Sequence, residues 1–143
     1  MYRLASAVTG FVLACAQPVM AYQTQLQGTW TAARAERDGK GADAVVGNRL
    51  SLAGDRFRIQ SKDGKLLYAG TVRVDPRAKP AAIDFAHKEG VVAGKVWKGI
   101  YVLDGDTLTV CDNALNLEKG RPTTFAARSG SGHVLITFTR TGP

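Results

Sequence analysis

Cysteine is scarce in this chain: 143 residues hold two, Cys15 and Cys111, and neither a Cys-x-x-Cys nor a His-x-His pair occurs. Zinc sites depend on such close ligand pairs, so His87 and His133 give no support for a metal. Asp104-Gly105-Asp106 has the acidity of a calcium loop without the EF-hand spacing, and reads as a hairpin turn. No stretch carries the apolar stripe of an amphipathic helix, and the apolar run from Leu4 to Ala16 is too short to span a bilayer. Catalytic and cofactor motifs are missing as well. His87, His133, Cys111, Asp84, Glu89 and Asp112 would have to supply any chemistry, and they form no recognisable triad. The expectation is a protein that is not an enzyme, without catalytic residues, metal or cofactor.

What is present is an ordinary globular composition, 45% hydrophobic and 22% charged, enough at this length for one core that needs neither disulfides nor a structural metal. The N-terminus precedes that core. Met1-Tyr2-Arg3 is a short basic start, Leu4 to Ala16 an apolar centre, and Pro18-Val19-Met20-Ala21 ends in small residues at the spacing signal peptidase requires. Residues 1–21 are read as a cleaved secretion signal and residues 22–143 as a single periplasmic or secreted domain. A second reading takes Val12-Leu13-Ala14-Cys15 as a lipoprotein box, in which case Cys15 carries lipid and the domain is anchored to an envelope membrane. Under either reading Cys111 has no intramolecular partner in an oxidising compartment. Strand alternation puts it on the face opposite Leu108 and Val110, as a small packing residue. The formal charge of +7 becomes +6 once Arg3 leaves with the signal, and the basic residues are interspersed with acidic ones. A nucleic-acid site would want a basic stripe with interleaved aromatics, which Arg56-Phe57-Arg58 only faintly suggests, so no nucleic-acid partner is expected. A pI near 9.7 is better suited to attraction towards an anionic membrane or envelope polymer.

Taken in order, the remaining residues read as strands and tight turns. Thr29 to Arg37 is the first strand, closed by Asp38-Gly39, and Lys40 to Gly47 is a helical turn or long loop. Arg49 to Ala53 and Arg56 to Ser61 flank the hairpin signal Gly54-Asp55, and Lys62-Asp63-Gly64-Lys65 turns the chain into Leu66 to Val74. After a proline-bounded loop, Ala81 to Ala86 is a short strand. Val96 to Leu103 and Thr107 to Asp112 make the strongest hairpin, because both arms are rich in β-branched and aromatic residues. Asn113 to Pro122 is a long loop, after which Thr123 to Ala127 and Val134 to Arg140 complete the set. Eight or nine short antiparallel strands at regular spacing define an all-β fold, either a sandwich or a barrel. Closure favours an up-and-down barrel of about eight strands, whose interior admits side chains or one small ligand.

The first strand opens with Gly28-Thr29-Trp30, a close-approach residue followed by a large side chain able to plug a barrel end. Five blocks extend the pattern: Leu26 to Trp30 with Glu36 to Lys40, Lys79 to Asp84, Gly99 to Leu108, Arg121 to Phe125, and Ser129 to Leu135. In this order the chain resembles an uncharacterised bacterial family of small, exported, lipocalin-like domains, from Leu26 to Arg140. The resemblance implies a lipocalin-like antiparallel barrel and carries no established activity. Gly28-Thr29-Trp30 also resembles the glycine-x-tryptophan signature of the lipocalins proper, in which an arginine near the end of the barrel packs on the tryptophan. Arg140 is the matching position, so Gly28, Trp30 and Arg140 are expected to form a structural plug.

These readings converge on a binding module for a small, partly apolar ligand at the open end of the barrel. Trp97, Gly99 and Tyr101 share one strand face and line the expected cavity, while Val96, Ile100 and Val102 face outward. Arg34 and Glu36, in phase with Trp30 but nearer the other end, are expected to orient the ligand. The ligand-binding set is thus Arg34, Glu36, Trp97 and Tyr101. The alternative is an envelope protein-interaction or inhibitor module with a packed core, no small-molecule ligand, and a contact surface on loops such as Asn113 to Pro122.

Overall fold

A computed structural model describes residues 24–143; the expected signal segment and Cys15 lie outside the described residues. Alternating side chains and turn residues produce nine strands: β1 (Gly28–Arg37), β2 (Lys40–Gly41), β3 (Arg49–Ala53), β4 (Arg56–Gln60), β5 (Leu66–Asp75), β6 (Ala82–His87), β7 (Val96–Asp104), β8 (Thr107–Asp112) and β9 (Val134–Gly142). Every neighbouring pair from β3 to β9 is antiparallel, and β1 joins both β3 and β9, closing an eight-stranded barrel to which β2 adds a short flap. The all-β, lipocalin-like fold expected from the sequence is the fold observed.

Closure also explains one departure from expectation. Thr123 to Ala127 is not a strand but part of an irregular segment. β8 pairs directly with β9 from Thr107↔Thr139 to Asp112↔Val134, and β9 pairs with β1, so the ring offers this segment no edge to join. Residues 113–133 instead form a strap over the outer wall. Asn113, buried at its start, accepts from Lys98 N at 2.9 Å and donates to Lys119 O at 2.7 Å. Arg121 donates to Asp84 Oδ1 and to Gly99 O, each at 2.7 Å. Ile100 and Cys111 face outward from the barrel yet are fully buried, and the Cys111 thiol donates to Ala126 O in the strap. Burial pushes that thiol up to about 11, helped by neighbouring Asp112 and opposed by the Ala126 bond.

The core fills the barrel from the closed end. Trp30 is completely buried and donates its indole N–H to Leu26 O at 2.9 Å, which holds the N-terminal turn across the bottom. Arg140, opposite Trp30 in the β1–β9 ladder, lays its guanidinium over the indole at 4.1 Å. Its nitrogens also donate to Gln25 O, Gln27 O and Asp106 Oδ1. Gly28 makes room for this: its φ is +121°, and a Cβ there would lie 2.8 Å from Gly142 O and 3.0 Å from the Arg140 guanidinium. Above the plug pack Leu50, Leu52, Phe57, Ile83, Phe85, Tyr101, Leu108, Val110 and Phe138.

Replacing Arg140 with Lys keeps the charge but loses the planar fork and most of its bonds. Urea unfolding is expected to show a loss of about 2 kcal/mol. Arg121→Ala is expected to loosen the strap, and thiol labelling of Cys111 with a disulfide reagent at pH 8 should accelerate about tenfold over the slow native rate, the factor given by about 1.4 kcal/mol of lost charged hydrogen bonding.

Candidate functional site

Two hollows are external. One, about 540 Å³, lies between the β5–β6 loop and the strap and includes Arg73, Lys79, Pro80 and Arg121. Arg121, its most enclosed cation, is already engaged by Asp84 and Gly99. The other, about 550 Å³, is a shallow outer face with Arg56, Arg58 and Lys88. A smaller cup of about 230 Å³ occupies the barrel mouth. It is the one with the character of a ligand site, because apolar and aromatic walls surround a few polar groups.

The walls follow from strand alternation. Ile59, Tyr68, Trp97, Ile136 and Phe138 point inward from β4, β5, β7 and β9, while Ala114 and Leu115 reach in from the strap and Val45 and Asn48 from the segment after β2. The floor is a chain of aromatic rings set edge to face. Phe85 meets Phe57 at 5.0 Å, Phe57 meets His87 at 5.3 Å, and His87 meets both Tyr68 at 5.5 Å and Trp97 at 4.1 Å; Tyr68 and Trp97 meet each other at 4.7 Å. Each such pair contributes roughly 0.5–1.5 kcal/mol beyond its buried area, so the floor is stiff.

His87 is the last residue of β6, one past the Ala86 at which the sequence ends this strand, and lies inside the barrel, 1% exposed; Glu89 is in the loop that follows. Neither ring nitrogen of His87 has a hydrogen-bond partner, and burial lowers its pKa. The ring is held neutral, as one more aromatic plate. His133 lies 3.2 Å from Gly120 O through Nε2 and ties the strap to the start of β9.

Asp112 supplies the cup's carboxylate. It continues the inward phase of Leu108 and Val110 and is 6% exposed. Its β7 partner is Gly99, where a Cβ would sit 3.0 Å from Asp112 Cβ, so the glycine lets the carboxylate fit within the wall. Oδ1 accepts from Ala114 N at 2.9 Å. Burial raises its pKa from 3.8 to about 7, and the Ala114 bond only partly opposes this.

Of the side chains expected to bind ligand, Trp97 lines the cup. Tyr101 packs in the core beneath it, 3% exposed. Arg34 and Glu36 are on the outside, paired with each other at 3.8 Å with 79% and 48% of their side chains exposed. The reason is a bulge in β1: Ala32 pairs with Phe138 but Arg34 with Thr137, so Ala33 is an extra residue and the inward phase moves to Ala35 and Arg37. Arg37 therefore lines the cup where Arg34 was expected. Gly28, Trp30 and Arg140 meet at the closed end. Tyr68, Asp112 and Arg37 belong to the cup without having been in the expected set; the phase of Leu108 and Val110 was the signal for Asp112, whereas Arg37 needed knowledge of the bulge.

No protein-family model, curated protein or solved structure matches this chain. Its class rests on geometry: a closed, lipocalin-like barrel, plugged at one end and cupped at the other. Among the described residues no cluster of three or more His, Cys, Asp or Glu is placed to hold a metal, and no helix is long and apolar enough to cross a membrane.

The raised Asp112 value has a definite sign in stability. The folded state holds a proton that the unfolded state releases above pH 3.8, so stability contributed by this group is full below that pH and is lost as pH rises to about 7. The rise corresponds to about 4 kcal/mol. Asp112→Asn keeps an oxygen to accept from Ala114 and removes the titration. The stability of this variant relative to wild type, measured by urea unfolding, should therefore increase by several kcal/mol between pH 4 and pH 8.

Proposed function

We propose that the protein is an exported, lipocalin-like binding module that holds a small, partly apolar ligand in the cup at the barrel mouth. The observation that carries this reading is the cup itself, walled by Ile59, Tyr68, Trp97, Ile136 and Phe138 around the buried carboxyl of Asp112. Its volume of about 230 Å³ lies below the range of roughly 300–1,000 Å³ typical of drug-sized sites. The ligand, or the part of it that enters, is correspondingly small. Residues 22–143 act outside the cytoplasm on this reading, which rests on the N-terminal sequence; lipidation at Cys15 would add a membrane anchor. No catalytic step, cofactor or nucleic acid has a part in it.

A second reading is favoured by the rim. Of the exposed aliphatic residues, Val46, Leu66, Leu67, Val91, Val96 and Leu115 belong to the mouth loops or the strand ends beside them, whereas Val102 is on the outer face of β7 and Leu117 further along the strap. An envelope protein seated over the mouth would cover the former group, making the domain an interaction or inhibitor module.

Native mass spectrometry of the protein purified gently from its own envelope fraction, before and after denaturation, tests both readings. A stoichiometric extra mass that disappears on denaturation is the expected result. A clean apo mass with a co-purifying protein would replace the ligand reading with the interaction module.

A further inference from the structure

We infer that the cup selects organic cations: its ligand carries a protonated or quaternary amine, held by Asp112, on an apolar body lying against Trp97 and Tyr68. This rests on the cup being the binding site and specifies what it takes. Asp112 lines the cup with 94% of its surface removed from water, yet among the described residues it has no ion-pair partner. Its one side-chain hydrogen bond comes from Ala114 N and uses Oδ1, leaving Oδ2 unbonded. A buried carboxylate without a counter-ion is costly, and a ligand cation removes that cost by supplying the charge that the wall lacks.

The surroundings favour a cation over another hydrogen-bond donor. Tyr68 and Trp97 both line the cup, and they make edge-to-face contact 4.7 Å apart. Aromatic faces attract ammonium groups and their methylated forms. The other charged side chain on the cup wall is Arg37, exposed at the rim, where water screens it, and more than 4 Å from the Asp112 carboxylate. On Asp112's own strand the nearest ionisable group is Cys111, which faces the strap and stays protonated because burial raises its pKa to about 11. From β7, Lys98 points to the outer surface and offers Asp112 no compensating charge. His87, within the aromatic floor, has its pKa lowered by burial and supplies no charge.

A purely structural role is the competing account of Asp112, since its bond to Ala114 starts the strap. Asparagine preserves that bond and removes the charge, so Asp112→Asn separates the two accounts. The experiment is a titration followed by amide and indole proton–nitrogen NMR at pH 8, with 2-phenylethylamine, 2-phenylethanol and 3-phenylpropionate as probes of one shape and three charges. On wild type the amine should shift Trp97 and the Asp112–Leu115 amides with at least about tenfold higher affinity than the alcohol, the factor expected of a charged hydrogen bond, and the carboxylate should bind most weakly. On Asp112→Asn the advantage of the amine over the alcohol should disappear, both now binding with similar affinity. Equal binding of amine and alcohol to wild type, or a preference for the amine that survives in the variant, overturns the assignment while leaving the cup as the site. Absence of shifts at the cup with every probe overturns both.

Discussion

The guanidinium of Arg140 is the constraint on which the closed end of the barrel depends, because one planar group there ties together three parts of the chain that the ladders bring side by side. It lies on the indole of Trp30 in β1, donates to the carbonyls of the turn before β1, and reaches Asp106 in the β7–β8 hairpin. The β1–β9 ladder is the last to close in chain order, and closure between distant segments carries the largest loop-entropy cost. A planar cation whose three nitrogens each donate to a carbonyl or a carboxylate offsets part of that cost at a single point. The indole needs the same contact from its own side: its N–H is satisfied by Leu26, and its face would otherwise be open at the barrel bottom.

Because that end is sealed, the interior cup opens at the other. The filled core stops at the Phe57, His87 and Trp97 layer, and the mouth above it is bounded by the segment after β2, the β4–β5 and β6–β7 loops and the start of the strap. The strap contributes to both surfaces of the wall. It covers Cys111 and Ile100 outside and sends Leu115 to the cup, so the same loop that dries the outer wall shapes the site. The two buried ionisable groups near the mouth pull stability in opposite directions. His87 favours the fold above its ordinary titration range and withdraws support as acid charges it, whereas Asp112 withdraws support as base charges it.

Much of this architecture was legible in the residues. Turn chemistry at Gly54-Asp55 and Gly105-Asp106, with period-two alternation in Leu50/Leu52, Phe57/Ile59 and Leu108/Val110, is local information, and local information places strands well. Thr123 to Ala127 has local strand character too, and was misleading because the decision is made by the closed ring, which is a property of the whole chain. The cup was legible only in part for the same reason. Trp97 could be placed from its strand. Tyr101 shares its face but lies one layer deeper, and depth along a tilted barrel strand depends on stagger between strands that no single stretch encodes.

Arg34 and Glu36 show the limit most sharply, since their pattern is clear and only its phase is reversed by Ala33. A strand carries two interleaved sets of side chains, and one added residue exchanges which set is inside. In β1 the exchange falls midway, so the plug end and the mouth end are governed by opposite parities. Heritable change in this strand is therefore of two unequal kinds. A substitution edits one position on one side of the wall, whereas gaining or losing a single residue between Ala32 and Arg37 swaps the polar and apolar sets along the mouth half of β1 at once. A change of length in a mouth loop moves no strand residue from one face of the wall to the other; in β1 it does.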